Sequence, residues 1–342
     1  MFLKHKGSQE RDQKEPVSVV ICARNELENL KVLLPKLYDQ EYEDYEIIVV
    51  NDRSGDGTYD FLREEEPKNS RLEVVNIEST PDHIQEKKYA LILGIKKAKN
   101  DIVLLTDADC YPNSRHWIQA MANGFKANIN IVLGFSQYER KKGLLNKLIR
   151  FETLYTAIQY ISAALGRSAY MGVGRNLAYR KSFFLEKNGF SGFEKVIGGD
   201  DDLFVNKNSN KNNTKVAIGA DALVISYPKT KWRDFYRQKK RHLSVGKLYK
   251  GRNKTGLGIL SLSHILFWFS FITLAVMSRE PIWLVLGLLI RTFFLLVTFV
   301  PASKKLGDRV NFWNLILLDV VYMVYYFFTG IPVLFSKKVK WS

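Results

Sequence analysis

A chain of 342 residues has room for one large domain or two ordinary ones, and its formal net charge of +16 is unevenly spread. Two cysteines, Cys22 and Cys110, with no paired CxxC spacing, exclude a disulfide framework and a cysteine zinc site and fit a reducing compartment. Apolar residues make up 46% of the chain, yet three long apolar stretches fall between Leu257 and Phe335, whereas residues 1–256 read as a soluble mixed domain.

Residues 1–15 form a polar lead-in without an apolar core of signal-peptide length, so the domain that follows is expected to stay in the cytoplasm. Val17-Ser18-Val19-Val20-Ile21-Cys22 is a β-branched run of the kind that makes a buried strand. Asn25 to Tyr38 carries apolar residues at helical spacing, and Glu46 to Val50 is a second buried strand leading into Asn51-Asp52-Arg53-Ser54-Gly55-Asp56-Gly57. Thr58–Glu65 reads as a helix, Leu72–Ile77 as a strand, Lys87–Lys97 as a helix, and Asp101–Thr106 as a fourth strand running into Asp107-Ala108-Asp109. This alternation predicts an α/β fold with a doubly wound, mostly parallel sheet, whose ligands bind beyond the carboxyl ends of the strands. Asp52, Asp107 and Asp109 all fall there. Further on, Ile129–Phe135 reads as a strand, Leu144–Leu165 as a long aromatic-rich helix, Tyr170–Tyr179 as extended, Leu203–Lys207 as a short helix and Lys215–Ser226 as one more strand.

Residues 16–228 are thus expected to form one α/β domain, and 229–256 a basic amphipathic interfacial segment. Between Lys229 and Lys254 stand eleven Lys/Arg against the single acid Asp234, directly before the first apolar stretch. That position favours contact with anionic membrane lipids and a cytoplasmic location over nucleic-acid binding, for which no stacking motif or groove-reading helix is present. The stretches Leu257–Met277, Pro281–Val300 and Phe312–Phe335 each have the roughly 20 residues needed to cross a bilayer, making a transmembrane region over 257–335 followed by a basic tail at 336–342. Trp268, Trp283 and Trp313 read as interface anchors, Trp268 lying mid-segment. The basic loop at 302–310 suits the cytoplasm and the near-neutral Ser278–Glu280 the outside; the basic tail then conflicts with three crossings unless the third segment is re-entrant at Gly330-Ile331-Pro332. Arg291 and Asp319 are charges inside apolar segments. Counted from the ends of antiparallel helices their depths differ by about 3 Å, which predicts a salt bridge between them.

Two constellations carry chemistry. Asp107-Ala108-Asp109 at the end of an apolar strand offers carboxylates to ribose and to a hard divalent cation, Mn2+ or Mg2+. Gly198-Gly199-Asp200-Asp201-Asp202-Leu203 sets three mutually repelling acids before a helix N-terminus. They either cap the 203–207 helix or include a general base.

In this order, the motifs resemble a family 2 glycosyltransferase of GT-A fold over roughly residues 16–250. Val17 to Glu26 is similar to the family's first strand and nucleotide-contacting loop, with Ala23, Arg24 and Glu26 in donor-binding places. Val49 to Thr58 is similar to the segment whose aspartate, here Asp52, contacts the nucleobase. Lys87-Lys88-Tyr89-Ala90-Leu91 resembles K-x-x-A-L, which implies Lys87 near the donor. Asp107 and Asp109 match D-x-D, implying ribose and metal contacts, and Gly172 to Tyr179 resembles the segment before the acceptor site. The family's E-D-x-D-L aligns with Gly199 to Leu203; this makes Asp200 the general base, Asp201 its reserve and Asp202 an acceptor-side acid, with Gly199 replacing the leading acid. Gln238, Arg241 and His242 resemble Q-x-x-R-W, facing the acceptor or diphosphate, although His242 replaces the tryptophan associated with processive synthesis. The plainer reading of that stretch is an interfacial helix whose Lys239 and Arg241 meet lipid headgroups.

The resemblance implies an inverting transfer from a nucleotide-sugar donor to a lipid-linked or glycolipid acceptor, by a multi-pass protein of the cell (inner) membrane. Two alternatives stand beside it. A sugar nucleotidyltransferase would show a Gly-rich phosphate loop where this chain has Ala23-Arg24-Asn25-Glu26, and a non-catalytic membrane accessory protein would carry the acids without turnover.

Overall fold

The structure, a computed structural model, describes residues 15–277, 281–308 and 314–335. In chain order it forms β1 (Val17–Ala23), α1 (Leu27–Tyr38), β2 (Tyr45–Asp52), α2 (Thr58–Glu65), β3 (Leu72–Ile77), α3 (Glu86–Lys97), β4 (Ile102–Asp107) and β5 (Cys110–Pro112). Then come α4 (Trp117–Ala122), β6 (Ile131–Leu133), β7 (Phe135–Tyr138), α5 (Leu144–Leu165), β8 (Leu177–Arg180), α6 (Lys181–Glu186), α7 (Asp202–Asn208), β9 (Thr214–Val216) and β10 (Leu223–Ser226). The remainder is helical: α8 (Trp232–Gly246), α9 (Gly251–Met277), α10 (Pro281–Lys305) and α11 (Leu315–Phe335). Two compact units result, one from Met1–Glu139 with Gln159–Tyr227 and one from Arg140–Ile158 with Pro228–Ser342.

In the first unit, seven strands among the described residues make one sheet in the order β3-β2-β1-β4-β8-β6-β9. β1 runs parallel to both β2 and β4, and β2 parallel to β3; β8 enters antiparallel between β4 and β6. β1, β2 and β4 are buried along almost their whole length because both faces are covered, whereas β3, at the sheet edge, is only partly buried. Val19, Ile21, Ile47 and Val49 pack with Leu30, Leu33, Leu34 and Leu37 of α1 in one buried cluster. Gly94 of α3 lies so close to the sheet that a Cβ there would stand 2.6 Å from Val20 Cγ1 and 2.9 Å from Val50 Cγ2. The carboxyl ends of β1, β2 and β4 meet where the chain order reverses about β1, the place where such sheets bind ligands.

Two expected strands are each divided. Ile129–Phe135 breaks at Gly134, so that β6 stays in the main sheet and β7 joins β10 and β5 in a second, three-stranded sheet. Lys215–Ser226 breaks likewise into β9 and β10. The reason is Asn176, fully buried in the turn before β8. Its Nδ2 donates to Phe135 O and Ala222 O, both at 2.7 Å, and its Oδ1 accepts from Trp117 Nε1 at 3.1 Å. Only glycine fits opposite this amide, since a Cβ at position 134 would lie 2.4 Å from it. Short elements with no run of their own, β5, α4 and α6, were not legible in the sequence.

In the second unit, α9 and α10 are long and apolar enough to cross a membrane, and the apolar part of α11, Leu315–Gly330, is shorter. α11 continues as helix through Gly330 and Pro332 rather than breaking there. Phe269, Val276, Trp283 and Phe293 stand 60% or more exposed, an outward apolar surface of the kind that marks a membrane or protein contact. Trp313, Ser278–Glu280, Arg309 and the tail fall outside the described residues.

The expected ion pair is present. Arg291 Nη2 and Nε meet Asp319 Oδ1 and Oδ2 at 2.8 and 2.9 Å. Trp268, expected at an interface, instead gives its indole N–H to Asp319 Oδ2 at 2.9 Å, which accounts for its mid-segment position. His264 completes the set, Nδ1 facing Arg291 Nη2 at 3.0 Å and Nε2 facing Asp319 O at 3.2 Å, an arrangement that suits the neutral ring protonated on Nε2. Lys239 also departs from expectation: it is ion-paired with Glu152 of α5 and largely buried, so it is not available to lipid headgroups. Phe235, on the same helix, stacks on Tyr325 of α11 at 5.1 Å.

Removing one member of the Arg291–Asp319 pair strands the other charge among apolar helices. Arg291→Leu or Asp319→Leu alone is expected to cost ~3–5 kcal/mol, and the double replacement less than either single one. Unfolding of the detergent-solubilised proteins checks this; strictly additive losses would contradict it.

Candidate active site

The site begins with two loops that cap one another. Glu26, at the N-terminus of α1, makes no side-chain cap. The segment after β2 supplies the acceptors instead: Leu27 N–H reaches Asp56 Oδ2 at 3.2 Å, Glu26 N–H reaches Thr58 Oγ1 at 3.0 Å, and Asn25 N–H reaches Ser54 Oγ at 2.9 Å. Asn25 takes a left-handed φ of 57°, so α1 starts at Leu27 and not at Asn25. Ala23 ends β1, buried. Glu26 accepts from Asn29 Nδ2 at 2.5 Å. Glu86, at the start of α3, joins Arg24 (2.5 Å) and Arg53 (2.7 Å), and Arg53 Nε holds Asp52 Oδ1 at 2.8 Å.

Deeper in, acids from separate parts of the chain converge. Lys87 Nζ donates to Asp107 Oδ1 at 2.7 Å and stands 3.6 Å from Asp200 Oδ2. Burial works against the Lys87 charge, but Asp107 and Asp200 outweigh it and hold the ammonium well above the ordinary lysine range. Cys22, at the end of β1, senses the same groups: burial pushes its thiol far up, Lys87 opposes this, and Asp107, Asp200 and Asp52 add to it.

The Gly198–Asp202 segment separates the roles of its three acids. Gly198 and Gly199 have φ of 78° and 73°, a backbone region that favours glycine, which explains why a glycine stands where the resemblance places an acid. Asp201 caps α7: its Oδ1 accepts from Asp202 N–H at 2.7 Å and its Oδ2 from Gly174 N–H at 2.6 Å. Both oxygens of the reserve base are therefore occupied by backbone donors. Asp202 is the first, half-buried residue of α7. Asp200 is the one held beside Lys87.

Two residues of this site escaped the sequence reading. Lys88 is 1% exposed and donates to Val196 O at 2.5 Å and Gly198 O at 2.6 Å, stapling the loop that delivers Asp200. Its signal was periodicity: Lys88, Leu91 and Ile95 share the buried face of α3. Arg175 is the other, a cation between Gly174 and Asn176 in a segment that is otherwise apolar or small.

At the end of β4, ligand atoms of Asp107, Asp109 and Cys110 lie within 4.8 Å of one another. Both carboxylates keep partial exposure, which suits a hard divalent cation completed by phosphate and water. Burial, with Asp109 and Asp107 adding, pushes the Cys110 thiol up; it donates to Ser226 Oγ at 3.3 Å. Of these three candidate donors the two aspartates offer the oxygen atoms that a hard cation prefers. Gln238, Arg241 and His242 lie on α8 in the second unit, the first two half-buried and His242 exposed.

Burial and the Asp200 charge push the Asp201 carboxyl from 3.8 up to about 6, while Lys87 and the two backbone donors pull it down. Between about pH 4 and pH 6 the folded protein then binds more protons than the unfolded chain, so this group's stability contribution falls as pH rises through that window. Wild type is expected to gain thermal stability over Asp201→Asn as the pH is lowered from about 7 to about 4.5. A difference that stays flat would return Asp201 to an ordinary carboxylate.

Comparison with known proteins follows the same lines. Residues 18–186 match the family model described as Glycosyl transferase family 2. "Probable glycosyltransferase YdaM" of Bacillus subtilis (strain 168) is 29% identical over 200 residues, 55% of this chain and 46% of that protein. A "Dolichyl N-acetyl-alpha-D-glucosaminyl phosphate 3-beta-D-2,3-diacetamido-2,3-dideoxy-beta-D-glucuronosyltransferase" of Methanococcus voltae is 25% identical over 214 residues, 60% of this chain and 59% of that one. The chain thus spans about half the length of these curated relatives. The solved "Mannosyltransferase PcManGT from Pyrobaculum calidifontis in complex with GDP-Man and Mn2+" superposes with a TM-score of 0.64, covering 98% of this chain and 92% of that one, at 16% identity, a likeness of fold. With its parallel sheet, its acids at the strand ends and this family match, residues 18–186 make a glycosyl transferase family 2 domain of GT-A fold.

Proposed function

We propose that the protein is an inverting glycosyltransferase that moves a sugar from a nucleotide-diphosphate sugar to a lipid-linked acceptor at the cytoplasmic face of a membrane, with Asp200 as general base. The observation that carries this reading is the Lys87 ammonium shared by Asp107 and Asp200. It brings the acid next to a helix N-terminus into the same cleft as the D-x-D at the end of β4. One carboxylate can then face an acceptor while the others face a donor.

Asp107 and Asp109 would hold a divalent cation, which when bound supplies positive charge against the diphosphate leaving group. Mn2+ fits this donor set, and a protein of the same fold is named with GDP-Man and Mn2+. Asp52, at the end of β2 and bonded by Arg53, is assigned to the nucleobase. Asp200 accepts the proton of the acceptor hydroxyl as its oxygen forms the new bond to the anomeric carbon. The bond from that carbon to the diphosphate breaks, its electron pair leaves on the phosphate oxygen, and the proton on Asp200 passes to water. Asp201 is less suited to this task because both of its oxygens accept backbone N–H groups.

A membrane-resident acceptor is supported by α9 and α10, by the basic segment that precedes them, and by the dolichyl phosphate in the name of the Methanococcus voltae relative. Arg241, Gln238 and His242 are assigned to the acceptor or diphosphate side, and the other basic residues of 229–254 to anionic lipid, Lys239 excepted.

Asp200→Asn is expected to lower kcat by roughly 10²–10⁴-fold while leaving donor affinity nearly unchanged. Full turnover by that variant would end the assignment. Asp109→Ala is expected instead to abolish the Mn2+-dependent thermal shift produced by UDP-, GDP- or dTDP-sugars. Product analysis decides the reaction class: nucleoside diphosphate is expected, and release of pyrophosphate would make the protein a nucleotidyltransferase.

A further inference from the structure

Arg175 holds a position that the local structure alone does not justify. It sits in the Gly174–Asn176 turn, with its guanidinium over the Tyr138 ring at 4.4 Å from the centroid. Nη1 reaches Ser226 Oγ at a long 3.4 Å. Nε is shielded from solvent and has no hydrogen-bond partner. Among the described residues no carboxylate forms an ion pair with it; its charge is met by the Ser226 hydroxyl and by Tyr138, through the ring face and a side-chain hydrogen bond. Partly withdrawing a cation from water is unfavourable unless an anion and good hydrogen bonds compensate, and neutral groups compensate in part.

Its surroundings indicate which anion is missing. Ser226, which Arg175 touches, also accepts from Cys110, the residue after Asp109. Asp107 and Cys110 are among the groups whose charge acts on the guanidinium. On the other side, the turn is fastened to the base-bearing loop: Gly174 N–H binds Asp201, and a Cβ on Gly174 would lie 3.6 Å from Asp200 Oδ2. Arg175 therefore stands beside the D-x-D while its own backbone is fastened to the loop carrying Asp200. An anion bound next to Asp107 and Asp109 would lie near a half-buried guanidinium whose shielded Nε–H is unused.

We propose that Arg175 is a donor-binding residue that takes a diphosphate oxygen of the nucleotide sugar, opposite the Asp107–Asp109 carboxylates; this rests on the glycosyltransferase reading above. Its planar fork of N–H donors matches a phosphate, and the Tyr138 ring beneath it holds the fork's orientation. As the bond to the anomeric carbon breaks, negative charge grows on the leaving oxygen, so the contact strengthens in the transition state.

The test uses the full-length protein in detergent with Mn2+ and, as probes, UDP or GDP, whichever stabilises wild type, set against uridine or guanosine. Arg175→Gln is expected to lose nucleoside diphosphate affinity by about 10- to 100-fold while the nucleoside binds as before, and to lose kcat in transfer as well. Ligand-free thermal unfolding of each variant shows that it is folded, so that the ratio of diphosphate to nucleoside affinity is compared between folded proteins. Arg175→Lys keeps the charge without the fork and is expected to fall between the two, which also covers the case of a poorly folding Gln variant. An unchanged ratio of diphosphate to nucleoside affinity in the folded variants would overturn the proposal. If wild type itself shows no Mn2+-dependent response to any nucleoside diphosphate, the functional reading fails as well; if wild type responds and the variants respond equally, only Arg175 is misassigned.

Discussion

One buried amide organises the catalytic unit. Asn176 replaces sheet bonds at two places at once, receiving the carbonyls of Phe135 and Ala222 where β6 gives way to β7 and β9 to β10. Because those carbonyls are sealed from water, each needs a donor, and a side chain without one would leave them unsatisfied at roughly 1–3 kcal/mol apiece. The same turn presents Gly174 to Asp201 and Arg175 to Ser226, so sheet architecture and site geometry are fastened at one point. Gly134 opposite the amide and Trp117 above it are consequences of that arrangement.

Around this turn, environment divides the work among similar groups. Three consecutive aspartates would repel one another in open solution, yet here each has a different neighbour: Asp201 two backbone N–H groups, Asp202 the start of a helix, Asp200 an ammonium. Two consecutive lysines are divided in the same way. Lys87 lies among the carboxylates, and Lys88 turns inward to hold the carbonyls of the loop that carries them. A helix places adjacent residues about 100° apart, so one lysine of a pair can face the cleft and the other the core.

The helical unit meets a harsher version of the same constraint. Asp319 is fully buried, and its oxygens accept from Arg291 and Trp268 while His264 spans the arginine and the aspartate's own carbonyl. In an apolar surround a half-satisfied network is worse than none, which is why four polar side chains from three helices are gathered rather than two. Such a set fixes the rotation of α9, α10 and α11 against one another, a task that apolar packing among similar leucines and phenylalanines performs poorly.

What could be read from the chain alone were properties that short stretches hold by themselves. Continuous β-branched runs mark strands buried on both faces, acids at their ends mark the carboxyl edge of the sheet, and apolar lengths mark the long helices. The Arg291–Asp319 pair was legible too, since a regular rise per residue turns sequence position into depth. The tertiary structure alone decided the break at Gly134, the inward turn of Lys88, the setting of Arg175 between Tyr138 and Ser226, the use of Trp268 as a donor and the packing of Lys239 on Glu152. Each of these depends on which distant residue arrives at a given buried atom. Periodicity records whether a position is covered, but not by what, and the partner of a buried polar group is settled only when the elements have packed.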